Sequence, residues 1–237
     1  MRKSCDYTDY SAYLKGNESV AALHLREYMA NLNCKYCHFH EKKGSIKTDE
    51  MDVVAILDNI MEYIDNNGID VFKIGFIGNG EPLLEYDSLK EYILHISDYL
   101  ADGRIAAYSI TNGLLVDESK LRFFKEHNVN LGFSIDGIPS IHDMYRCNTH
   151  AKVMEKIELY RKVNGKYPSM NCTVGKEILE KADETIGFFQ QFNTRVTFSR
   201  MIGQYGITLY EGYLIAKADG TLSRSLKYMD TEGITVV

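Results

Sequence analysis

Short runs of β-branched and aromatic residues alternate with longer stretches of helical period along most of this chain. That alternation constrains the fold more than any other feature, because it is the pattern of repeated strand–helix units around a parallel sheet. Candidate strands lie at Ala21 to Leu25, Val71 to Ile77, Ile105 to Ile110, Asn130 to Ile135, Met170 to Val174 and Arg195 to Ser199. Between the first two, Met51, Val54, Leu57, Met61 and Ile64 share a helix face; Leu89, Tyr92, Ile93, Ile96 and Leu100 do so after the second. Asp87-Ser88 and Asp117-Glu118-Ser119 are expected helix starts, where short side-chain oxygens accept from unpaired N–H groups of the first turn. Six βα steps imply an α/β fold of the partial (β/α)6, TIM-like barrel class, since a full barrel needs eight strands and typically about 250 residues. Chemistry in such folds collects at the carboxyl ends of the strands. Residues 1–20 read as a lead-in, 21–206 as the barrel and 207–237 as a C-terminal appendage. In the appendage, Ala218-Asp219-Gly220-Thr221 is a hairpin-type turn between the runs Tyr213 to Lys217 and Leu222 to Tyr228.

The chain has 237 residues, 45% of them hydrophobic, enough to bury a sizeable core, most simply as one large domain. Its net charge is −6, and the 27 Lys and Arg residues are dispersed without forming a stripe, which argues against nucleic acid as a partner. No apolar run approaches the roughly 20 residues of a membrane span, and Met1-Arg2-Lys3-Ser4-Cys5-Asp6 lacks a signal peptide's apolar core; the expectation is a cytoplasmic protein. Five cysteines, with Cys34 and Cys37 the one close pair, suit metal or redox chemistry better than a disulfide framework.

That pair lies in Ala30-Asn31-Leu32-Asn33-Cys34-Lys35-Tyr36-Cys37-His38-Phe39, a loop after the first strand, where two thiolates can grip one metal centre. By itself Cys-x-x-Cys is compatible with an iron–sulfur site, a zinc half-site completed by His38 and His40, a redox dithiol, or no ligand role. Other strand ends add polar groups: Gly78-Asn79-Gly80-Glu81-Pro82 after the second, Thr111-Asn112-Gly113 after the third and Ser134-Ile135-Asp136-Gly137 after the fourth. Each alone is an acceptable βα turn, with Asp, Asn and Gly serving turn geometry. Three in register at one end of successive strands are less readily explained that way.

With Ile141-His142-Asp143-Met144-Tyr145-Arg146 added, the chain from about Ala21 to Ser199 resembles the radical S-adenosylmethionine (SAM) superfamily. Within it the likeness is to peptide- and protein-modifying maturases of the SPASM type, which usually carry a cysteine-rich C-terminal domain. The resemblance implies a barrel of the radical SAM type, a [4Fe–4S] cluster held by three cysteines in C-x3-C-x2-C spacing, and SAM chelated to the fourth iron. Reductive cleavage of SAM would then yield a radical that abstracts hydrogen from a peptide or protein substrate. By the same resemblance Cys34 and Cys37 are the second and third cluster ligands, Tyr36 lies beside the adenine, and Glu81 receives the SAM amino group. Asn112, Ser134 and Asp136 line the ribose and methionine, and Arg146 pairs with the SAM carboxylate.

Two departures stand out. Ala30 occupies the position of the first cluster cysteine, and its methyl group cannot ligate iron, so an impaired enzyme competes with a non-catalytic SAM- or peptide-binding paralogue. No cysteine follows Cys172, so auxiliary clusters would lack ligands here; the C-terminal stretch is compatible with the remnant of a truncated or replaced domain. Cys147 and Cys172 are expected to be buried, inert packing residues.

Overall fold

The computed structural model describes residues 18–24, 30–37, 53–77, 80–201, 214–216, 222–224 and 234–236. The chain divides into two compact units: residues 1–29, 48–109 and 123–130 form the first, and 30–47, 110–122 and 131–237 the second.

In the first unit β1 (Glu18–His24), β2 (Val71–Ile77) and β3 (Ile105–Thr111) run parallel, with Ala21 beside Ile74 and Ile74 beside Ala107. β2 reads Val-Phe-Lys-Ile-Gly-Phe-Ile, and Phe72, Ile74 and Phe76 are all buried, as expected of a parallel strand covered by helices. Gly75 leaves room for its neighbour: a Cβ there would stand 2.6 Å from the Tyr108 hydroxyl of β3, the far end of a side chain that would have to shift. Helix α1 (Val53–Asn67) buries Val53, Ile56, Leu57 and Ile64. It packs against α2 (Tyr86–His95), to which it is also tied by Asp58 and His95 at 2.7 Å.

The second helical run departs from expectation at both ends. It begins before Asp87-Ser88, because Glu81 Oε1 accepts from Leu83 N at 3.1 Å and starts a 3-10 turn, Pro82–Glu85, that feeds directly into α2. Asp87 therefore lies in the first turn, where its carboxylate meets the positive end of the helix dipole. At Ile96 the run bends and resumes as α3 (Ser97–Ala101), with Ile96 and Leu100 both kept in the core.

The second unit places β4 (Asn130–Ser134), β5 (Met170–Val174) and β6 (Val196–Arg200) in parallel, Phe133 beside Met170 and Met170 beside Val196; β9 (Ile234–Val236) runs antiparallel to β6. All six expected strands are present, with ends displaced by three residues at most. Its helices are α5 (Pro139–Tyr145), α6 (His150–Asn164), α7 (Lys176–Glu180) and α8 (Ala182–Gln190), while α4 (Glu118–Glu126) has residues in both units. Asp117 starts α4 as anticipated, its Oδ1 accepting from Lys120 N at 2.8 Å. Phe189 of α8 meets Phe198 of β6 edge to face at 5.6 Å and so fixes that helix on the sheet. In the appendage β7 (Leu214–Ala216) pairs antiparallel with β8 (Leu222–Arg224), the hairpin the sequence implies; its turn lies outside the described residues. No described helix is long and apolar enough to cross a membrane.

Candidate functional site

The cysteine loop belongs to the second unit. A backbone hydrogen bond from Cys37 N to Cys34 O, 3.0 Å, closes a tight turn with one thiol at each end. Lys35 N donates to Tyr145 O at 3.0 Å, which pins the turn to the end of α5. Ala30 is exposed at the start of the loop, and Asn112 Nδ2 donates to Asn31 Oδ1 at 2.7 Å, tying the loop to the residues that follow β3. His38 and His40, the other half of the zinc alternative, lie outside the described residues, as do Gly78 and Asn79.

Beside the loop, Tyr36, Asp136 and Arg146 form one buried polar group. Asp136 is fully enclosed and Arg146 is 8% exposed. Asp136 Oδ2 accepts from the Tyr36 hydroxyl and from Arg146 Nε, each at 2.7 Å, and Oδ1 accepts from Thr173 N at 2.9 Å with Arg146 Nη2 at 3.5 Å. A carboxylate has about four lone-pair sites; those of Asp136 are taken up by the protein, so this residue acts as a hub that orients Tyr36 and Arg146. The guanidinium also stands over the Tyr36 ring, 5.4 Å from its centroid.

The electrostatics follow from this packing. Burial pushes the Cys34 thiol up to about 11, although the Arg146 guanidinium pulls the other way. Burial likewise raises Tyr36 well above the usual phenol, keeping it the hydrogen-bond donor to Asp136. Burial opposes the charge on Arg146, but Asp136, Tyr36 and Cys34 together outweigh it and hold the arginine above its ordinary value. Behind the pair, Asp136 N donates to His142 Nδ1 at 3.2 Å, while His142 Nε2 lies 3.1 Å from Thr149 Oγ1. The Thr149 hydroxyl donates to Arg146 O at 2.7 Å, so Nε2 must carry the proton and donate to Thr149. Burial lowers His142 to about 4, consistent with a neutral ring in this relay.

The sequence singles out the loop but not the internal pairing beside it. Asp136 and Arg146 had been assigned separate contacts, yet they form one buried ion pair. His142 and Thr149 were missed; His142 stood in a quoted motif, but nothing in its spacing announces a hydrogen bond to the Asp136 backbone. Ser134 ends β4, half-buried, two residues before Asp136. Glu81 is a buried residue of the first unit and caps the turn after β2. Cys172 is buried as expected, but Cys147 is not: it is exposed, because the chain turns outward after α5 with φ of 57° at Cys147 and 55° at Asn148.

Cys34 and Cys37 are suitable donors for iron, so the chemistry of the loop fits an iron–sulfur cluster, with these two thiols and Ala30 four residues before the first. Among the described residues no three His, Cys, Asp or Glu side chains converge on one metal ion.

Parallel strands joined by helices, with a cysteine loop and a buried carboxylate–guanidinium pair beside it, define an α/β protein. Residues 29–189 match the family model of the Radical SAM superfamily, and the chain belongs to that superfamily. It is 28% identical over 173 residues to a cysteine-type anaerobic sulfatase-maturating enzyme of Clostridium novyi, covering 70% of this chain and 46% of that protein. To a serine-type anaerobic sulfatase-maturating enzyme of Bacteroides thetaiotaomicron it is 31% identical over 213 residues, covering 82% and 51%. The chain thus spans about half the length of these curated relatives. Among solved structures, native anSMEcpe with bound AdoMet superposes with a TM-score of 0.65 at 22% identity, over 81% of this chain and 57% of that one. This likeness shows the fold, the partial TIM-like barrel of the radical SAM type.

Proposed function

We propose that this chain is the SAM-binding barrel of a radical SAM enzyme that modifies a peptide or protein, impaired at its cluster because Ala30 stands where the first cysteine belongs. The observation that carries the reading is the joining of Cys34 and Cys37 to the Tyr36–Asp136–Arg146 group in one unit of a chain that belongs to this superfamily. A peptide substrate is supported by the relatives, which are named for maturing sulfatases. A [4Fe–4S] cluster with SAM would supply one-electron reduction and a carbon radical.

The chain's own residues bind and orient. Cys34 and Cys37 would hold two irons of the cluster. Arg146, its Nε and Nη2 held by Asp136, would supply the positive charge for the SAM carboxylate, a charge-assisted contact. Tyr36, anchored through its hydroxyl, offers its ring to the adenine. Asn112 and Ser134 would supply polar groups for the ribose and methionine. Asp136 acts indirectly, by holding Tyr36 and Arg146. A non-catalytic SAM- or peptide-binding role is the second reading, and Ala30 is the observation that favours it.

The two are separated by 5′-deoxyadenosine formed under strict anaerobiosis with dithionite, for the chain as given and for Ala30→Cys. Little product from the first and substantial product from the second is expected. Equal, substantial yields would show that Ala30 is no deficit; no product from a fully loaded Ala30→Cys would sink the enzymatic reading.

A further inference from the structure

Arg146 caps the end of α5, and the last carbonyls of a helix need partners from outside it. For Arg146 O the partner is the Thr149 hydroxyl, which donates to it at 2.7 Å. The Thr149 oxygen is left to accept from His142 Nε2 at 3.1 Å, while His142 Nδ1 accepts from Asp136 N at 3.2 Å. Three hydrogen bonds, all pointing the same way, therefore run from the backbone of Asp136 to the backbone of Arg146. The His142 carbonyl adds a further tie by accepting from Arg146 N at 2.7 Å. The side chains of the same two residues, Asp136 and Arg146, form the buried ion pair at 2.7 Å. Resting on the SAM-binding reading above, we infer that His142, acting through Thr149, is a positioning residue: it fixes the backbones from which Asp136 and Arg146 reach each other, and so sets where the guanidinium can meet the SAM carboxylate.

His142 and Asp136 are fully enclosed and Thr149 and Arg146 nearly so, which means that water does not stand in for a missing member of the chain. A histidine that only filled core volume would not need both ring nitrogens engaged, still less engaged toward the two partners of one ion pair. The ring must be neutral, because an imidazolium would turn a second N–H toward the Asp136 N–H. Of the charged or titratable groups that face it, Arg146 and His150 join burial in opposing protonation while Asp136 and Asp143 favour it, and burial prevails. His150 stands outside the chain of bonds: its Nε2 lies 3.2 Å from Gly137 O, and its ring meets that of His142 edge to face at 5.3 Å. Arg146 needs the support, since the main chain leaves the helix at this residue, with ψ of 40°, and Cys147 and Asn148 follow with positive φ.

The test uses the full chain, isotope-labelled for nitrogen NMR, with S-adenosylmethionine itself as the ligand in calorimetry. At neutral pH the His142 ring should be in the Nε2–H tautomer, and Arg146 should give a resolved, slowly exchanging Nε–H signal. Thr149→Val, close in shape but without the hydroxyl, should shift or broaden that signal and weaken SAM binding roughly fivefold, about the worth of one hydrogen bond. Thr149→Ser, which keeps the hydroxyl, should restore both. His142→Leu should weaken binding at least as much, and adding Thr149→Val to it should bring no further loss, because the chain of bonds is already broken. An Nδ1–H tautomer or a charged ring in the parent would overturn the inference with no variant needed, which covers the case of a variant that fails to fold. A folded Thr149→Val that loses stability but keeps the parent's Arg146 signal and SAM affinity would overturn it too, as would losses that simply add in the double variant. A parent chain that binds no SAM is a separate result: it removes the reading of the site on which the inference rests.

Discussion

At the residue scale the decisive feature is the enclosure of Asp136 with Arg146. A buried ion pair contributes little over an apolar replacement of both partners, but removing one partner leaves an uncompensated charge and costs about 3–5 kcal/mol. Asp136→Ala also strands the Tyr36 hydroxyl and Thr173 N, so urea denaturation should show a loss at the upper end of that range, a large part of an ordinary domain's stability of about 5–15 kcal/mol. Adding Arg146→Ala should cost less than the sum of the two single changes, since the second removes the charge that the first strands. Equal additivity would mean that the pair is not coupled. His142 behaves differently. Its folded pKa of about 4 lies below the unfolded value near 6.5, so the unfolded chain binds the proton more readily. The stabilisation is therefore complete above about pH 6.5 and is lost as pH falls toward 4, by roughly 3 kcal/mol at most. Denaturation midpoints across that window should fall with pH in the parent and fall less steeply in His142→Gln.

At the scale of elements, the strand-end turns combine two requirements that a sequence shows as one letter. Gly137, after β4, has φ of +71°, and a Cβ there would stand 2.8 Å from Thr185 Cγ2 of α8. Gly165 closes α6 with φ of +77°, its N–H bonded to Arg161 O, and has open space around it. Alanine at Gly165 should cost about 1 kcal/mol for the left-handed backbone alone. At Gly137 the same change adds the clash and should cost about 3 kcal/mol, with the fold-positioning contact of Asp136 disturbed as well. Thermal midpoints of the two variants measure the difference; equal shifts would show that α8 gives way freely. The elements were largely legible because their apolar periodicity is local. The bend at Ile96 was not, because the apolar face continues across it and only backbone geometry records the break.

At the scale of the whole chain, the net charge of −6 with dispersed cations makes nucleic acid an unfavourable ligand. Fluorescence anisotropy with a labelled oligonucleotide at about 0.15 M salt should show no saturable binding; a salt-dependent isotherm would reveal a basic surface that dispersal in sequence conceals. The alternation of strand and helix periods and the three-residue spacing of Cys34 and Cys37 are properties of neighbours along the chain, and the sequence by itself determined the α/β class, six parallel strands and the thiol loop. The pairing of Tyr36 with Asp136, of Asp136 with Arg146, and of Cys147 with the residue before Cys34 joins positions 100, 10 and 114 apart. Only the tertiary structure decided those, because which polar groups satisfy one another inside a protein depends on what burial takes away from water, and burial is set by how the strands and helices pack rather than by the order of the residues.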